Sequence, residues 1–299
     1  MAIRARPYET DGDLRRMQSL QQELWAGRGP YVAAHVGDLA WWLHRPEGKR
    51  RLWLDGDHCV AWAWLHPPAT LDYDVHHEHL SLRANVLAWL EDEAEGDVLS
   101  TYALETDGDW VAFVESSGYK RPASPQSYAY HLRGLDDSSL EPRAPNGFRL
   151  HTVEGEEDFR KRVEIHRAVW APSRVTEEVY RRVTQAWPYR ADLDCVVEAA
   201  DGRFAAYVLC WYDDANRVGL FEPVGTHPDF RRQGLGSLVC RYAFRRLQEE
   251  GATQALVLAA EEPAVRLYES VGFRRYTRVV EFQKSRNSGG LPSESSSAE

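Results

Sequence analysis

Residues 222–237 combine glycines and charged side chains in a pattern suited to binding an anion. The stretch reads Glu-Pro-Val-Gly-Thr-His-Pro-Asp-Phe-Arg-Arg-Gln-Gly-Leu-Gly-Ser. Gly234 and Gly236 would let a ligand approach the backbone closely, and Arg231 and Arg232 add positive charge beside them. The N–H groups that begin a following helix point outward, with the positive end of its dipole. We therefore predict a phosphate-binding loop; the alternative is a flexible surface turn before a helix.

The elements on either side of this loop would hold it in place. An apolar run predicts a strand from Val218 to Thr226, which stops at a Pro-Asp turn. Apolar residues at helical spacing predict a helix from Ser237 to Gln248. The loop therefore connects a strand directly to the first turn of a helix.

A second motif follows about thirty residues later and reads Glu-Glu-Pro-Ala-Val-Arg-Leu-Tyr-Glu-Ser-Val-Gly-Phe over residues 261–273. Together the two stretches resemble the motifs of the GCN5-related N-acetyltransferase (GNAT) family. The first family motif is matched by Arg231, Gly234 and Gly236, and the second by Ala264, Leu267, Tyr268, Gly272 and Phe273. Glu261 stands where the family has an Asn that contacts the coenzyme A arm.

This resemblance implies that the protein binds acetyl-CoA as a co-substrate. The cofactor would lie where the strand at 218–226 splays from a parallel neighbour, Gln254 to Ala259. The strand end would pair with the pantetheine arm, and backbone amides of the loop would bind the pyrophosphate. The expected cofactor-binding residues are Val224, Gly225, Thr226, Arg231, Arg232, Gln233, Gly234, Leu235, Gly236, Ser237 and Glu261.

Acetyl transfer to an amine requires a base, stabilisation of the carbonyl oxygen and an acid for the leaving thiolate. Glu222 is the candidate base, on a strand face that we expect it to share with Leu220 and Val224. The alternative for Glu222 is an exposed strand carboxylate. The resemblance makes Tyr268 the candidate acid, with aromatic packing as its alternative role. A backbone N–H near Val224 or Gly225 would stabilise the oxyanion.

One phrase occurs twice in the chain. Residues 114–121, Val-Glu-Ser-Ser-Gly-Tyr-Lys-Arg, align with residues 268–275, Tyr-Glu-Ser-Val-Gly-Phe-Arg-Arg, which indicates an internal duplication. The first copy has His76-His77-Glu78-His79-Leu80 in place of the phosphate loop, and Val114 in place of Tyr268. We therefore expect the first copy not to catalyse, and to shape or cover the acceptor site instead.

The predicted fold is α/β, with a mixed, mostly antiparallel sheet and flanking helices in two tandem GNAT-like domains. Residues 1–135 would form the degenerate domain, 136–146 a linker, 147–284 the catalytic domain and 285–299 a disordered tail. A first helix capped by Asp11 and a second from Ala34 to His44 are predicted near the N-terminus. Thr176 is predicted to cap a helix. The resemblance implies that this helix forms part of one wall of the acceptor site.

Composition narrows the function further. A net charge of -10 argues against nonspecific nucleic-acid binding, and no apolar run is long enough for a signal peptide or a membrane span. We expect a cytoplasmic protein, monomeric or homodimeric, with its 4 cysteines reduced and buried. The histidines at 76, 77 and 79 are interpreted as a solvated turn or the remnant of a lost CoA site, and no metal is expected.

The predicted function is transfer of an acetyl group from acetyl-CoA to a primary amine of a small molecule or peptide. The alternative is a non-catalytic acyl-CoA-binding sensor or scaffold, which would bind CoA without turning over an amine. The acceptor is not specified by any motif. Five aromatic residues could either line its pocket or fill the core: Trp170, Trp187, Tyr189, Trp211 and Tyr212.

Overall fold

A computed structural model of the chain describes residues 2–45, 47–135 and 142–286. One mixed sheet of twelve strands, mostly antiparallel, runs through these residues with helices on both faces. The strands are β1 Arg4–Pro7, β2 Lys49–Asp55, β3 His58–His66, β4 Thr70–Val75, β5 Val98–Leu104, β6 Ser127–Gly134, β7 Phe148–Thr152, β8 Asp194–Ala199, β9 Phe204–Asp213, β10 Val218–Thr226, β11 Gln254–Ala259 and β12 Arg274–Ser285. The helices are α1 Asp11–Arg28, α2 Val36–Trp41, α3 Leu82–Glu93, α4 Gly108–Ser116, α5 Gly155–Val169, α6 Glu177–Thr184, α7 Leu235–Glu249 and α8 Glu262–Ser270.

Several predicted features agree with the structure, and four need correction. Strands β10 and β11 have the predicted bounds, and the Thr176 hydroxyl accepts a hydrogen bond from the Val179 N–H as the cap of α6. Helix α1 is capped by Thr10, not Asp11, because Thr10 forms a capping box with Asp13. The predicted helix from Ala34 to His44 is α2 followed by a separate 3₁₀ turn over Trp42–His44.

The predicted Pro-Asp turn is present as a 3₁₀ turn over Pro228–Phe230. The third correction concerns the helix that follows the loop. Helix α7 begins at Leu235, two residues before the predicted Ser237, because Gly234 takes the left-handed conformation at its N-cap and Gly236 is already helical. The fourth concerns the predicted tail, 285–299, which starts too early, because Ser285 is the last residue of β12. Residues 287–299 of that tail and residues 136–141 of the predicted linker lie outside the described residues.

The two halves of the chain repeat one order of elements, and each gives its last strand to the other half. Strand β12 pairs with β5 and β6, while β6 pairs antiparallel with β11. The sheet order is β1-β2-β3-β4-β5-β12-β6-β11-β10-β9-β8-β7. The exchange joins both halves in one sheet, so the division at residues 135 and 147 stays a prediction about the sequence repeat.

The two faces of the sheet are organised differently. On one face, α1, α2, α5 and α6 cover a single core that mixes residues of both halves, such as Trp62 with Trp211 and Leu39 with Leu220. On the other face, α3 and α4 cover a core of the first half, and α7 and α8 cover one of the second half. The halves therefore meet through the α1, α2, α5 and α6 face. The four cysteines are buried and free, as predicted.

Each half opens between its fourth and fifth strands. In the second half, β10 and β11 pair in parallel only as far as Phe221 and Val257, and then separate. In the first half, β4 and β5 pair only at residues 70–71 and 100–101. Here Tyr73 and Trp110 lie beyond the last pair with ring centroids 4.9 Å apart, and the Arg83 guanidinium lies 4.2 Å from the Trp110 ring. Both rings pack in the core under α3 and α4. That the first copy is degenerate stays a prediction.

Candidate active site

Strand β10 changes direction at the point where it leaves β11. Its register against β9 shifts between Phe221 and Val224, which is a β-bulge. Leu220 packs with the core under α1 and α2, whereas Val224 packs with the core under α7 and α8. The expectation that Glu222 shares a face with both residues is therefore wrong for Val224, because the bulge interrupts the alternation of side chains.

The open edge of β10 carries backbone groups without a strand partner. The His227 N–H donates to the Ala205 carbonyl of β9 at 2.9 Å. In an antiparallel ladder, every second residue of a strand forms its hydrogen bonds with the same neighbouring strand. Because His227 bonds to β9, the N–H group of Gly225 also points toward β9. The N–H groups of Val224 and Thr226 therefore face the opening. Val224 is thus the better placed of the two predicted oxyanion donors.

Gly225 is required at its position by close packing. A Cβ atom there would lie 2.7 Å from Cε1 of Tyr207 and 2.8 Å from Cγ1 of Val169. Any side chain would push Tyr207 away from β10. The strand end beside the opening is therefore held in a fixed position.

The predicted phosphate loop forms the N-terminus of α7. Gly234 is its N-cap, with φ of 77° and no side-chain cap, and the first bond within the helix runs from the Leu238 N–H to the Gly234 carbonyl. The N–H groups of Leu235, Gly236 and Ser237 precede that bond and are available to an anion. The preceding loop residues are exposed: Arg231, Arg232 and Gln233.

The loop is anchored to the end of β10 and lies beside α8. A Cβ at Gly236 would lie 3.1 Å from Oγ1 of Thr226, and the Arg231 Nε–H donates to the Thr226 carbonyl at 3.4 Å. Glu261 is exposed at the N-cap of α8. The structure therefore brings the predicted cofactor residues together around one end of the opening.

Tyr268 lies on the α7 and α8 side of this opening. Its side chain is 6% exposed and packs beside Phe273, with ring centroids 5.9 Å apart. Burial raises the pKa of its hydroxyl well above the usual value, with further contributions from Cys240 and Glu222. The phenol therefore keeps its proton near neutral pH.

A cavity of about 710 Å³ lies on the opposite side of β10, between the two halves of the chain. Glu222 and Pro223 of β10 line this cavity. The second half contributes residues of α5, α6 and the connection between them, and the first half contributes the end of α2 and the end of β3. The lining residues are Trp41, His44, Arg45, Glu47, His66, Pro67, His166, Trp170, Pro172, Ser173, Arg174, Val175, Val179, Glu222 and Pro223.

Burial raises the pKa of Glu222 to about 8. The negative charge of Asp38 on α2 contributes to this increase, while the positive charge of Arg45 opposes it. The backbone carbonyl of Glu222 accepts a hydrogen bond from the Trp211 indole N–H at 2.5 Å. A carboxylate with such a pKa holds a proton strongly enough to act as an acid–base group near neutral pH.

Of the five aromatic residues considered for the pocket, Trp170 alone lines this cavity. Trp211 and Tyr189 pack in the core, Trp187 lies under the Arg15 guanidinium, and the Tyr212 hydroxyl donates to the Glu250 carbonyl. Trp41, His44 and His166 also line the cavity, and sequence reasoning did not select them as site residues. The internal duplication indicated that the first half would cover the site, but no local pattern shows which of its residues face Glu222.

The histidine-rich turn of the first half lies away from this cavity. His76, Glu78 and His79 bring one potential ligand atom each within 4.8 Å of one another, so a metal ion would find donors there. No feature of the proposed chemistry depends on this cluster. The expected absence of a metal stays a prediction.

The opening, the uncapped α7 N-terminus and the Leu-Tyr motif of α8 are the features expected of a GNAT acetyltransferase domain. Residues 159–273, all in the second half, match the model of the acetyltransferase (GNAT) family. None of the helices in the described parts of the chain is long and apolar enough to cross a membrane.

Relatives match over most or part of the chain. The mycothiol acetyltransferase of Thermobispora bispora is 26% identical over 299 residues, which cover 95% of this chain and 100% of that protein. The mycothiol acetyltransferase of Thermomonospora curvata is 28% identical over 160 residues, which cover 50% of this chain and 52% of that protein. These enzymes support the assignment of this chain as an N-acetyltransferase.

Solved structures share the tandem fold. A tandem GNAT protein from the clavulanic acid biosynthesis pathway superposes with a TM-score of 0.66 at 18% identity, covering 97% of this chain and 100% of the other. A GCN5-related N-acetyltransferase from Sphaerobacter thermophilus gives a TM-score of 0.64 at 18% identity, covering 95% of each chain. At this identity the likeness concerns the fold.

Proposed function

We propose that this protein transfers the acetyl group of acetyl-CoA to a primary amine that binds in the cavity between the two halves. The observation that carries the proposal is the position of Glu222. It lines the cavity, and it follows Phe221, the last residue of β10 that pairs with β11. An amine in the cavity and a thioester in the opening would meet at this residue.

The cofactor would enter from the α7 side. The loop Arg231, Arg232, Gln233, Gly234, Leu235, Gly236 and Ser237 would bind the pyrophosphate, and Val224, Gly225 and Thr226 would contact the pantetheine arm, with Glu261 at its edge. Exposed arginines and free helix N–H groups are the usual partners of a phosphate. The chemistry supplied by acetyl-CoA is the activated acyl thioester.

Each step of the transfer has a candidate group. The Glu222 carboxylate accepts a proton from the ammonium of the acceptor, so that the free amine attacks the thioester carbonyl. The Val224 N–H donates to the carbonyl oxygen as negative charge develops there. Tyr268 then gives its proton to the leaving thiolate, for which its raised pKa keeps it in the neutral form.

The acceptor is a small molecule in this proposal. The cavity of about 710 Å³ is lined by aromatic and imidazole rings, which suits a compact ligand. The relatives named mycothiol acetyltransferases make a mycothiol-related amine the first acceptor to test. A short peptide amine is the second.

Release of free thiol from acetyl-CoA, measured against a panel of amines, tests the proposal. The panel should span mycothiol-related amines, amino sugars, aminoglycosides, polyamines, amino acids and short peptides. Turnover of a small-molecule amine supports the proposal, and mass spectrometry of the product should show acetylation on nitrogen. Acetyl-CoA binding without turnover of any amine would favour the sensor alternative, and absence of acetyl-CoA binding would overturn the loop assignment.

A further inference from the structure

His166 holds one ring nitrogen inside the protein and presents the other to the cavity. Its side chain lines the cavity although the residue is only 5% exposed. Nδ1 lies 3.1 Å from the Tyr207 hydroxyl oxygen. Within the described residues no group forms a hydrogen bond with Nε2. This polar atom is therefore available to a ligand in the cavity.

The neighbouring hydrogen bonds determine which nitrogen carries the proton. The Trp170 indole N–H can only donate, and it donates to the Tyr207 oxygen at 2.8 Å. Tyr207 is fully buried, so its own O–H would lose a partner unless it donates to Nδ1 of His166. Nδ1 is then the acceptor, and the single ring proton of neutral His166 resides on Nε2. The Nε2–H group of His166 is therefore a hydrogen-bond donor toward the cavity.

The His166 ring is also fixed in orientation and kept neutral. Trp41 of the first half meets it edge to face with centroids 5.4 Å apart, and His44 stacks on Trp41 at 4.5 Å. Burial and the positive charge of Arg162 lower the pKa of His166 to about 3. A neutral imidazole does not repel an incoming ammonium, so it is compatible with the substrate of the proposed reaction.

A donor at this position cannot serve the amine itself. An ammonium ion has donors only, and they match the Glu222 carboxylate. A free amine that accepted a hydrogen bond from Nε2–H would lose the lone pair needed for attack on the thioester. The matching group on the acceptor molecule is therefore an oxygen near the amine.

We propose that the Nε2–H of His166 binds a hydroxyl or carbonyl oxygen of the acceptor and thereby directs the adjacent amine toward Glu222. The inference rests on the proposed function and specifies the acceptor class: primary amines with an oxygen on a neighbouring carbon. His166 is a positioning residue in this scheme. Tyr207 and Trp170 set its tautomer, and Trp41 sets its ring plane.

The tautomer can be measured without an acceptor. Two-dimensional ¹⁵N–¹H NMR of the histidine rings, with His166 assigned by its loss in His166→Gln, should show a neutral Nε2–H ring from pH 5 to pH 8. Tyr207→Phe removes the donor to Nδ1 and should shift the ring population toward Nδ1–H. An Nδ1–H or protonated ring in the unmodified protein would overturn the inference.

Selectivity tests the role in binding. The probes are trans-2-aminocyclohexanol and trans-2-methylcyclohexylamine, which differ by a hydroxyl in place of a methyl group. Loss of one neutral hydrogen bond corresponds to roughly a tenfold change, so kcat/KM should favour the amino alcohol by about that factor. His166→Leu should abolish the preference through KM for the amine, with KM for acetyl-CoA unchanged, and His166→Gln should retain part of it through its side-chain N–H.

A matched control and a second measurement separate the possible failures. His58→Leu, on the exposed β2–β3 hairpin, should leave the preference intact. Equal kcat/KM for the two probes in the unmodified protein would overturn the role of His166 but not the acetyltransferase. If neither probe is acetylated, NMR titration with the amino alcohol tests binding alone. A saturable shift of the His166 Nε2 resonance would support the binding site and count against the proposed reaction. Absence of a shift would overturn the inference.

Discussion

Gly37 of α2 lies directly against the Trp211 side chain of β9. A Cβ atom at Gly37 would be 2.2 Å from Cβ of Trp211, so only glycine allows this approach. The indole N–H of Trp211 donates to the backbone carbonyl of Glu222. A helix of the first half is thus connected through one side chain to the candidate base of the second half.

This contact predicts a coupled loss of stability and activity. Gly37→Ala should destabilise the protein by about 1–3 kcal/mol through overpacking, because α2 or Trp211 must move. Displacement of Trp211 should also lower kcat by disturbing Glu222. Urea unfolding and steady-state kinetics measure the two effects. Gly27→Ala is the control, since a Cβ at this α1 position meets no atom within 4 Å and should stabilise slightly; unchanged stability in Gly37→Ala would contradict the packing.

The pKa of Glu222 predicts how activity depends on pH. With a pKa of about 8, the carboxylate is mostly protonated at pH 7, so kcat/KM should rise as the pH increases through 8. Glu222→Gln should remove this rise and lower turnover by roughly 10²- to 10⁴-fold. A pH profile of the variant that keeps the same rising limb would exclude Glu222 as the base.

Arg45 provides a test of the direction in which a nearby charge shifts the pKa of Glu222. Its positive charge lowers the pKa of Glu222, so Arg45→Gln should raise that pKa and move the rising limb of kcat/KM to higher pH. Arg174→Gln, which also removes a cation from the cavity lining, is the matched control because Arg174 is not among the charges that act on Glu222. A shift to lower pH in Arg45→Gln would contradict the electrostatic assignment.

Tyr268→Phe should separate acid catalysis from cofactor binding. The substitution removes the hydroxyl and leaves the buried ring in place, so the affinity for acetyl-CoA should change little. Turnover should fall by about ten- to a thousandfold, within the range for a general acid. Isothermal titration with acetyl-CoA and initial rates provide the comparison. Equal turnover in the variant would leave Tyr268 with a packing role alone.

Gly234→Asp should abolish acetyl-CoA binding. The new carboxylate would stand at the N-terminus of α7 and repel the pyrophosphate, and its side chain would also strain the left-handed backbone. Gly251→Asp introduces the same residue at a φ of 87°, with no atom within 4 Å of the new Cβ, at the opposite end of α7. Binding should persist in that control. Retained affinity in Gly234→Asp would refute the loop assignment.

The local elements of the site were predictable because their signals are local. The glycines and arginines of residues 231–236, the apolar run of β10 and the Leu-Tyr motif of α8 each carry their information within a few residues. The bulge after Phe221 was not predictable, since it is defined by the register against β9. The predicted direction of the Val224 side chain was wrong for this reason.

The acceptor cavity was harder to predict than the cofactor loop. Trp41 and His166 come from different halves, and they meet because α2 and α5 pack on the same face of one sheet. Tryptophans at helical spacing indicated burial, and Trp41 is indeed only 5% exposed, but it also lines the cavity. A periodic pattern identifies a buried face without identifying its neighbours.

The reciprocal placement of β6 and β12 has a consequence for how the chain folds. Neither half can complete its own sheet from its own sequence. Strand β12, which pairs with β5, follows β5 by more than a hundred residues, and β6, which pairs with β11, precedes β11 by more than a hundred residues. Contacts between such distant segments are slow to form. The first half would therefore keep an unpaired edge at β5 until β12 has been synthesised, and the two halves should unfold as one cooperative unit.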